Sequence, residues 1–154
     1  MDLSDLLAPG GIFPAFEAAS KKQALLDLSA RAAEMTDLDI RAIHDALLQR
    51  ERLGSTGLGR GIAVPHVKLN GLTGIVCLFA RLATPIDFES LDGEPVDLIF
   101  LLLAPDHAGG DHLKALARIS RLVREPAALE RLRSAPDLAN LKRALTLPAA
   151  SHAA

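Results

Sequence analysis

The chain has 154 residues, 49% apolar and 23% charged, with a formal net charge of -2, a profile that fits one globular domain burying about two thirds of the surface its unfolded form exposes. So small a charge excludes a protein that grips nucleic acid or anionic lipid electrostatically, and five Phe with no Trp or Tyr leave no stacking platform for single strands. No apolar run approaches the roughly 20 residues of a membrane span, and the acidic start Met1-Asp2-Leu3-Ser4-Asp5 lacks the basic character of a secretory leader, so a cytoplasmic location is expected.

The first strong local signal is Ser20-Lys21-Lys22-Gln23, a capping box in which the hydroxyl and the glutamine satisfy amides of the first helical turn. Leu25, Leu28 and Ala32 then recur at helical spacing and predict a helix over about 21 to 35. Thr36-Asp37-Leu38-Asp39 starts a second helix, with Ile40, Ile43, His44 and Leu47 as its stripe and Gly54 as its stop. Ile62 to Val64 reads as a short strand, Gly74 to Leu82 and Val96 to Ala104 as longer ones. The last two are apolar at nearly every position, the pattern of strands covered on both faces in a layered α/β fold. Thr84-Pro85-Ile86-Asp87-Phe88 and Asp92-Gly93-Glu94-Pro95 between them are rich in turn residues. Asp111 is placed to cap a helix carrying Leu113, Leu116, Ala117, Ser120 and Val123, and two short helices are expected near 126 to 133 and 136 to 145, separated by Ser134-Ala135-Pro136. Residues 148–154 lack periodicity and read as a loose tail.

The chemistry concentrates in Arg50 to His66, where a glycine-rich loop delivers one histidine at the end of a short apolar run. Gly57, Gly59 and Gly61 do not form GxGxxG, lack a following Gly-Lys-Ser/Thr and come after a helix, so they do not make a nucleotide loop. They predict a tight turn with exposed amides beside His66. Pro65 fixes the backbone before that imidazole. As a nucleophile, His66 needs one free ring nitrogen, with the other donating, typically to a backbone carbonyl; alternatively it is a core histidine ending a strand. His112 follows Asp111 at a helix start, which attracts anions, and reads either as a phosphoryl-oxygen donor or as a solvated histidine. Arg50 ends the second helix beside the loop, where a guanidinium can bind a phosphoryl group through two parallel hydrogen bonds; Arg52 and Arg60 are alternatives. Ser55 and Thr56, with Gly57, supply phosphoryl donors or close the turn. His44 is assigned to the core edge, and His107 and His152 receive no role. Asp106-His107 and Asp111-His112 match no standard ligand spacing, so no metal is expected. Cys77 stands alone in a strand, which excludes an intramolecular disulfide and a thiolate metal site.

The run from Arg50 to Leu69, with Gly54-Ser55-Thr56-Gly57 followed by Gly61-Ile62-Ala63-Val64-Pro65-His66, resembles enzyme IIA proteins of the bacterial phosphotransferase system, most of all their nitrogen-regulatory (PtsN-type) branch. Thr84-Pro85-Ile86-Asp87-Phe88, Pro95-Val96-Asp97-Leu98 and the segment from Asp111 to Ala117 add to the likeness, which covers about residues 16–145. It implies an α/β fold, a single-domain sandwich of a mixed β-sheet flanked by helices as in mannitol- and fructose-type IIA proteins, over residues 1–147. It implies phosphorylation of His66 by an HPr-like phosphocarrier, its nitrogen-branch relative NPr, fed by a phosphoenolpyruvate-dependent enzyme I. His112 and Arg50 match the family's second active-site histidine and its arginine, both as phosphoryl stabilisers, and no cofactor is implied. Potassium transport and nitrogen or carbon control, with sensor kinases among the targets, are outputs of the family among which no residue here selects. Val67, where glycine or alanine is usual, and the segment Pro9 to Pro14 depart from the pattern.

The expected function is therefore a phosphoryl carrier and regulator whose two charge states bind different targets. The alternatives are a sugar-specific IIA component serving a separate IIB, and a binding module that keeps the fold without being phosphorylated. No Ser-His-Asp or paired-carboxylate motif supports a hydrolase.

Overall fold

The computed structural model describes residues 3–146; the predicted tail at 148–154 lies outside them. Elements follow in the order α1 (Leu3–Leu6), β1 (Leu7–Phe16), α2 (Lys21–Thr36), α3 (Ile40–Arg52), β2 (Gly57–Gly59), β3 (Ile62–Ala63), β4 (His66–Leu69), β5 (Val76–Ile86), β6 (Val96–Pro105), α4 (Asp111–Arg124), α5 (Pro126–Ser134) and α6 (Leu138–Thr146). Strand order is β1-β5-β6-β3-β2, with β4 also paired to β6. The sheet is mixed: β5 and β6 are antiparallel, while β1 lies parallel to β5 and both β3 and β4 parallel to β6.

Period-2 alternation in the central strands divides the core into two faces. Cys77, Phe79, Leu98, Phe100 and Leu102 point to the side covered by α1, α4, α5 and α6. Leu78, Ala80, Ile99, Leu101 and Leu103 point to the side covered by α2 and α3. The expectation of a mixed sheet flanked by helices is met. Phe79 and Phe100 meet across β5 and β6 at a centroid distance of 4.8 Å, tilted by 59°, a geometry aromatic pairs favour.

Side-chain caps form at the starts of α2, as expected from Ser20, and of α3, within the expected start at residues 36–39. Ser20 Oγ accepts from the Gln23 amide at 3.1 Å and Asp39 Oδ1 from the Arg41 amide at 3.2 Å. The Gln23 side chain instead donates to Asp27 at 2.8 Å, so half of the capping box is realised. Asp111 is not a cap: the position belongs to Gly110, and Asp111 is the first helical residue, where its charge favours the helix end.

Other departures have physical reasons. No element ahead of Ser20 is expected from the sequence, and β1 carries Pro9, Gly10, Gly11 and Pro14, residues that a strand at the sheet edge tolerates. Its register against β5 slips twice, between Leu7 and Ile12 and between Phe13 and Phe16. The stretch Thr84-Pro85-Ile86, read as turn, continues β5 until Ile86 pairs with Val96. Arg81 pins the β1 edge to the end of α5, donating to the carbonyls of Pro14, Leu132 and Ala135, each at 2.9 Å.

Candidate functional site

The β3 and β4 strands are two halves of one line beside β6, interrupted at Val64-Pro65. Pro65 has no amide to offer the ladder, but its carbonyl accepts from the Leu102 amide at 2.9 Å, so the line resumes in register with His66 opposite Leu102. The turn ahead of β3 is left-handed at three successive residues, Gly59 (φ 93°), Arg60 (φ 58°) and Gly61 (φ 84°). Glycine is required at position 61, where a Cβ would lie 2.5 Å from an Arg133 guanidinium nitrogen and 2.7 Å from an Asp97 carboxylate oxygen.

His66 is half-buried, and its Nδ1 lies 2.8 Å from the Val64 carbonyl oxygen. A carbonyl only accepts, so Nδ1 carries the proton and Nε2 of the neutral ring keeps its lone pair. His112, in the first turn of α4, repeats the arrangement, with Nδ1 2.9 Å from the Gly109 carbonyl oxygen. Both histidines line one cleft of about 370 Å³ with Arg50, which reaches it from the last turn of α3 and donates from Nη1 to the Gly54 carbonyl at 2.9 Å. Leu102 and Ala104 of β6 supply apolar lining. Leu53, 85% exposed, also lines the cleft, and Leu113, next to His112, is 59% exposed.

The structure thus brings together His66, His112 and Arg50, but it places Ser55, Thr56 and Gly57 outside the cleft lining. Ser55 Oγ donates to the Phe88 carbonyl at 2.7 Å and accepts from the Gly57 amide at 3.0 Å. Thr56 is buried, with its hydroxyl and its amide both on the Glu51 carboxylate. Gly57 is buried against Ser90, so a Cβ there would sit 2.1 Å from the Ser90 hydroxyl. These groups close the loop. Two polar cleft residues went unnoticed in the sequence, Gln49 and Lys68. Lys68 lies two residues past His66 and so on the same face of β4, a signal that period-2 reading offers.

Elsewhere, burial pushes the Cys77 thiol up to about 12, which leaves it an unreactive core residue. Asp92 is held below the usual carboxylate range because its side chain accepts the Arg60 and Glu94 amides, at 2.9 and 3.0 Å, and so clamps the glycine turn. Among the described residues no helix is long and apolar enough to cross a membrane.

Residues 5–146 match the family model for the phosphoenolpyruvate-dependent sugar phosphotransferase system, EIIA 2. The chain is 55% identical to the nitrogen regulatory protein of Bradyrhizobium diazoefficiens over 99% of its own length and 100% of that protein's, and 40% identical to that of Pseudomonas aeruginosa over 87% and 88%. Among solved structures, the nitrogen regulatory protein IIA-Ntr from Neisseria meningitidis superposes with a TM-score of 0.88 at 31% identity, over 94% of this chain and 99% of that one. The mannitol IIA of Escherichia coli, 20% identical, has the same fold at a TM-score of 0.75 over 88% and 96%. On this evidence the chain belongs to the EIIA type-2 family of the phosphoenolpyruvate-dependent sugar phosphotransferase system, in the branch that carries the nitrogen regulatory proteins.

Proposed function

We propose that the protein is a phosphoryl carrier whose His66 accepts a phosphoryl group at Nε2 and whose two charge states are read by different target proteins. The observation that carries this reading is the 2.8 Å contact from His66 Nδ1 to the Val64 carbonyl, in a cleft shared with Arg50 and His112. The bond leaves Nε2 as the nucleophile. The donor is a phosphohistidine carrier of the HPr type, in its nitrogen-branch form NPr, charged by a phosphoenolpyruvate-dependent enzyme I.

In the transfer step the His66 Nε2 lone pair forms the new N–P bond as the donor's N–P bond breaks, and the donor imidazole keeps that electron pair. Positive character that develops on the His66 ring is stabilised by the Val64 carbonyl at Nδ1–H. The Arg50 guanidinium donates to the phosphoryl oxygens, and His112, with Nδ1–H on the Gly109 carbonyl, donates to them from Nε2 in its imidazolium form, at the start of a helix whose dipole favours the added charge. The exposed Leu53 and Leu113 give the donor an apolar contact. Regulation follows from electrostatics: a dianion added at an open cleft is large enough to create or destroy an interface. The targets include transport or sensor proteins, met where the donor is, in the cytoplasm.

Intact-mass measurement after incubation with phosphoenolpyruvate, enzyme I and the carrier tests this reading. One acid-labile phosphoryl adduct, absent from His66→Ala, is expected. A wild-type protein that stays unmodified beside a fully charged carrier would mark a binding module instead. Onward transfer to a sugar through a separate IIB would mark a sugar-specific component.

A further inference from the structure

Behind the cleft lies an ion pair that phosphoryl contact does not explain. Lys21 Nζ is 2.9 Å from Glu51 Oε1 and 3.3 Å from Oε1 of the exposed Glu89, and the Lys21 and Glu51 side chains are only 15% and 6% exposed. Withdrawing both charges from water is costly. Lys21 is also the first residue of α2, where the helix dipole disfavours a cation. A pair kept under two penalties needs a role to offset them.

The Glu51 carboxylate accepts the Thr56 amide at 3.1 Å and also takes the Thr56 hydroxyl. The Thr56 carbonyl accepts from the Val64 amide at 3.0 Å, and the Val64 carbonyl holds His66 Nδ1 at 2.8 Å. A continuous line of hydrogen bonds therefore runs from Lys21 through Glu51, Thr56 and Val64 to the imidazole. The line is braced from the side. Lys21 Nζ sits 4.8 Å above the centre of the Phe88 ring, and the Phe88 carbonyl accepts from Ser55 Oγ at 2.7 Å. Adjacent residues of α3 thus hold one loop, Arg50 at the Gly54 carbonyl and Glu51 at Thr56.

We propose that Glu51, neutralised by Lys21, is a positioning residue that sets the place and the tautomer of the His66 ring through Thr56 and Val64. The inference rests on the reading of His66 as the acceptor, and it assigns to Thr56 a role through the backbone instead of at the phosphoryl group. Without the clamp, the Thr56 and Val64 peptide units lose their fixed orientation, the Nδ1–H bond weakens, and the proton redistributes to Nε2, where it blocks the lone pair. A misplacement of about 1 Å far from the chemistry can lower a rate by about 100-fold.

The test combines two readouts on Glu51→Gln, Lys21→Met and Thr56→Val, with the buried Leu141→Ala in α6, remote from the relay, as a destabilised control. The first is single-turnover phosphoryl transfer from the charged carrier. The second is the ¹⁵N spectrum of the unphosphorylated histidine ring, which reports the tautomer and which a merely stabilising residue would leave alone. Glu51→Gln is expected to slow transfer by about 10- to 100-fold and to populate the Nε2–H tautomer, with smaller changes of the same kind in Lys21→Met and Thr56→Val. Leu141→Ala is expected to lower the melting temperature and keep both readouts. Folded relay variants that retain the Nδ1–H tautomer and the wild-type rate would overturn the proposal, and so would an equal loss of transfer in Leu141→Ala. Thr56→Val preserves shape, so it answers the question even where Glu51→Gln fails to fold. If the wild type accepts no phosphoryl group, the acceptor reading fails, while the tautomer comparison still decides the role of Glu51.

Discussion

His66 and His112 are held in the same way and carried on opposite kinds of scaffold. Each ring places Nδ1 on a nearby backbone carbonyl, that of Val64 at 2.8 Å and that of Gly109 at 2.9 Å. The Val64 carbonyl belongs to a buried strand line hydrogen-bonded to β6 on one side and to Thr56 on the other. The Gly109 carbonyl belongs to an exposed loop in which Gly109 has a φ of 60° and a Cβ would meet nothing within 4 Å. A local carbonyl bond suffices to choose a tautomer on either scaffold, and only the His66 carbonyl is also braced through the backbone. On the proposed reading, the stiff strand carries the acceptor and the exposed helix start carries the group that meets the phosphoryl oxygens.

That contrast can be broken by exchange of losses. His112→Ala is expected to keep the adduct while slowing transfer by about 100-fold, as for removal of one preorganised donor. Complete loss in single-turnover assays would make the two histidines equal partners. Gly57→Ala drives a methyl into the Ser90 hydroxyl on the braced side and is expected to cost about 2 kcal/mol in thermal unfolding, whereas Gly109→Ala is expected to cost about 1 kcal/mol through backbone strain alone. Arg50→Lys keeps the charge but not the paired donors, so transfer is expected to fall about tenfold, read from the same single-turnover traces.

The smallest effect is on acid stability. The Asp92 carboxyl lies below its ordinary value in the folded state because it accepts the Arg60 and Glu94 amides. A depressed folded value contributes stability above the ordinary aspartate range and loses it as pH falls through the lowered value. Asp92→Asn is expected to flatten that acid limb in urea titrations at successive pH values. An unchanged limb would show that the clamp on the glycine turn adds nothing.

The two faces of the core were legible because β5 and β6 are apolar at consecutive positions, and such strands require cover on both sides. The Ser20 cap, the helix carrying Arg50 and the placing of His66 at the end of a short strand line could likewise be read from local chemistry. What escaped depended on neighbours distant in the chain. The β1 strand looks broken by Pro9, Gly10 and Gly11 until β5 is beside it. Ser55 and Thr56 read equally as phosphoryl donors or as turn-closing groups until Phe88 and Glu51 are seen to take their hydroxyls. Lys21 appears in the sequence only as part of a capping box, and nothing local announces Glu51 at 2.9 Å.

The most direct test of the central claim is ¹⁵N and ³¹P NMR of the protein charged by phosphoenolpyruvate, enzyme I and the carrier. The expected result is a single N–P coupling at His66 Nε2, with Nδ1 still protonated on Val64. A phosphoryl group at Nδ1, or one carried by His112, would contradict it.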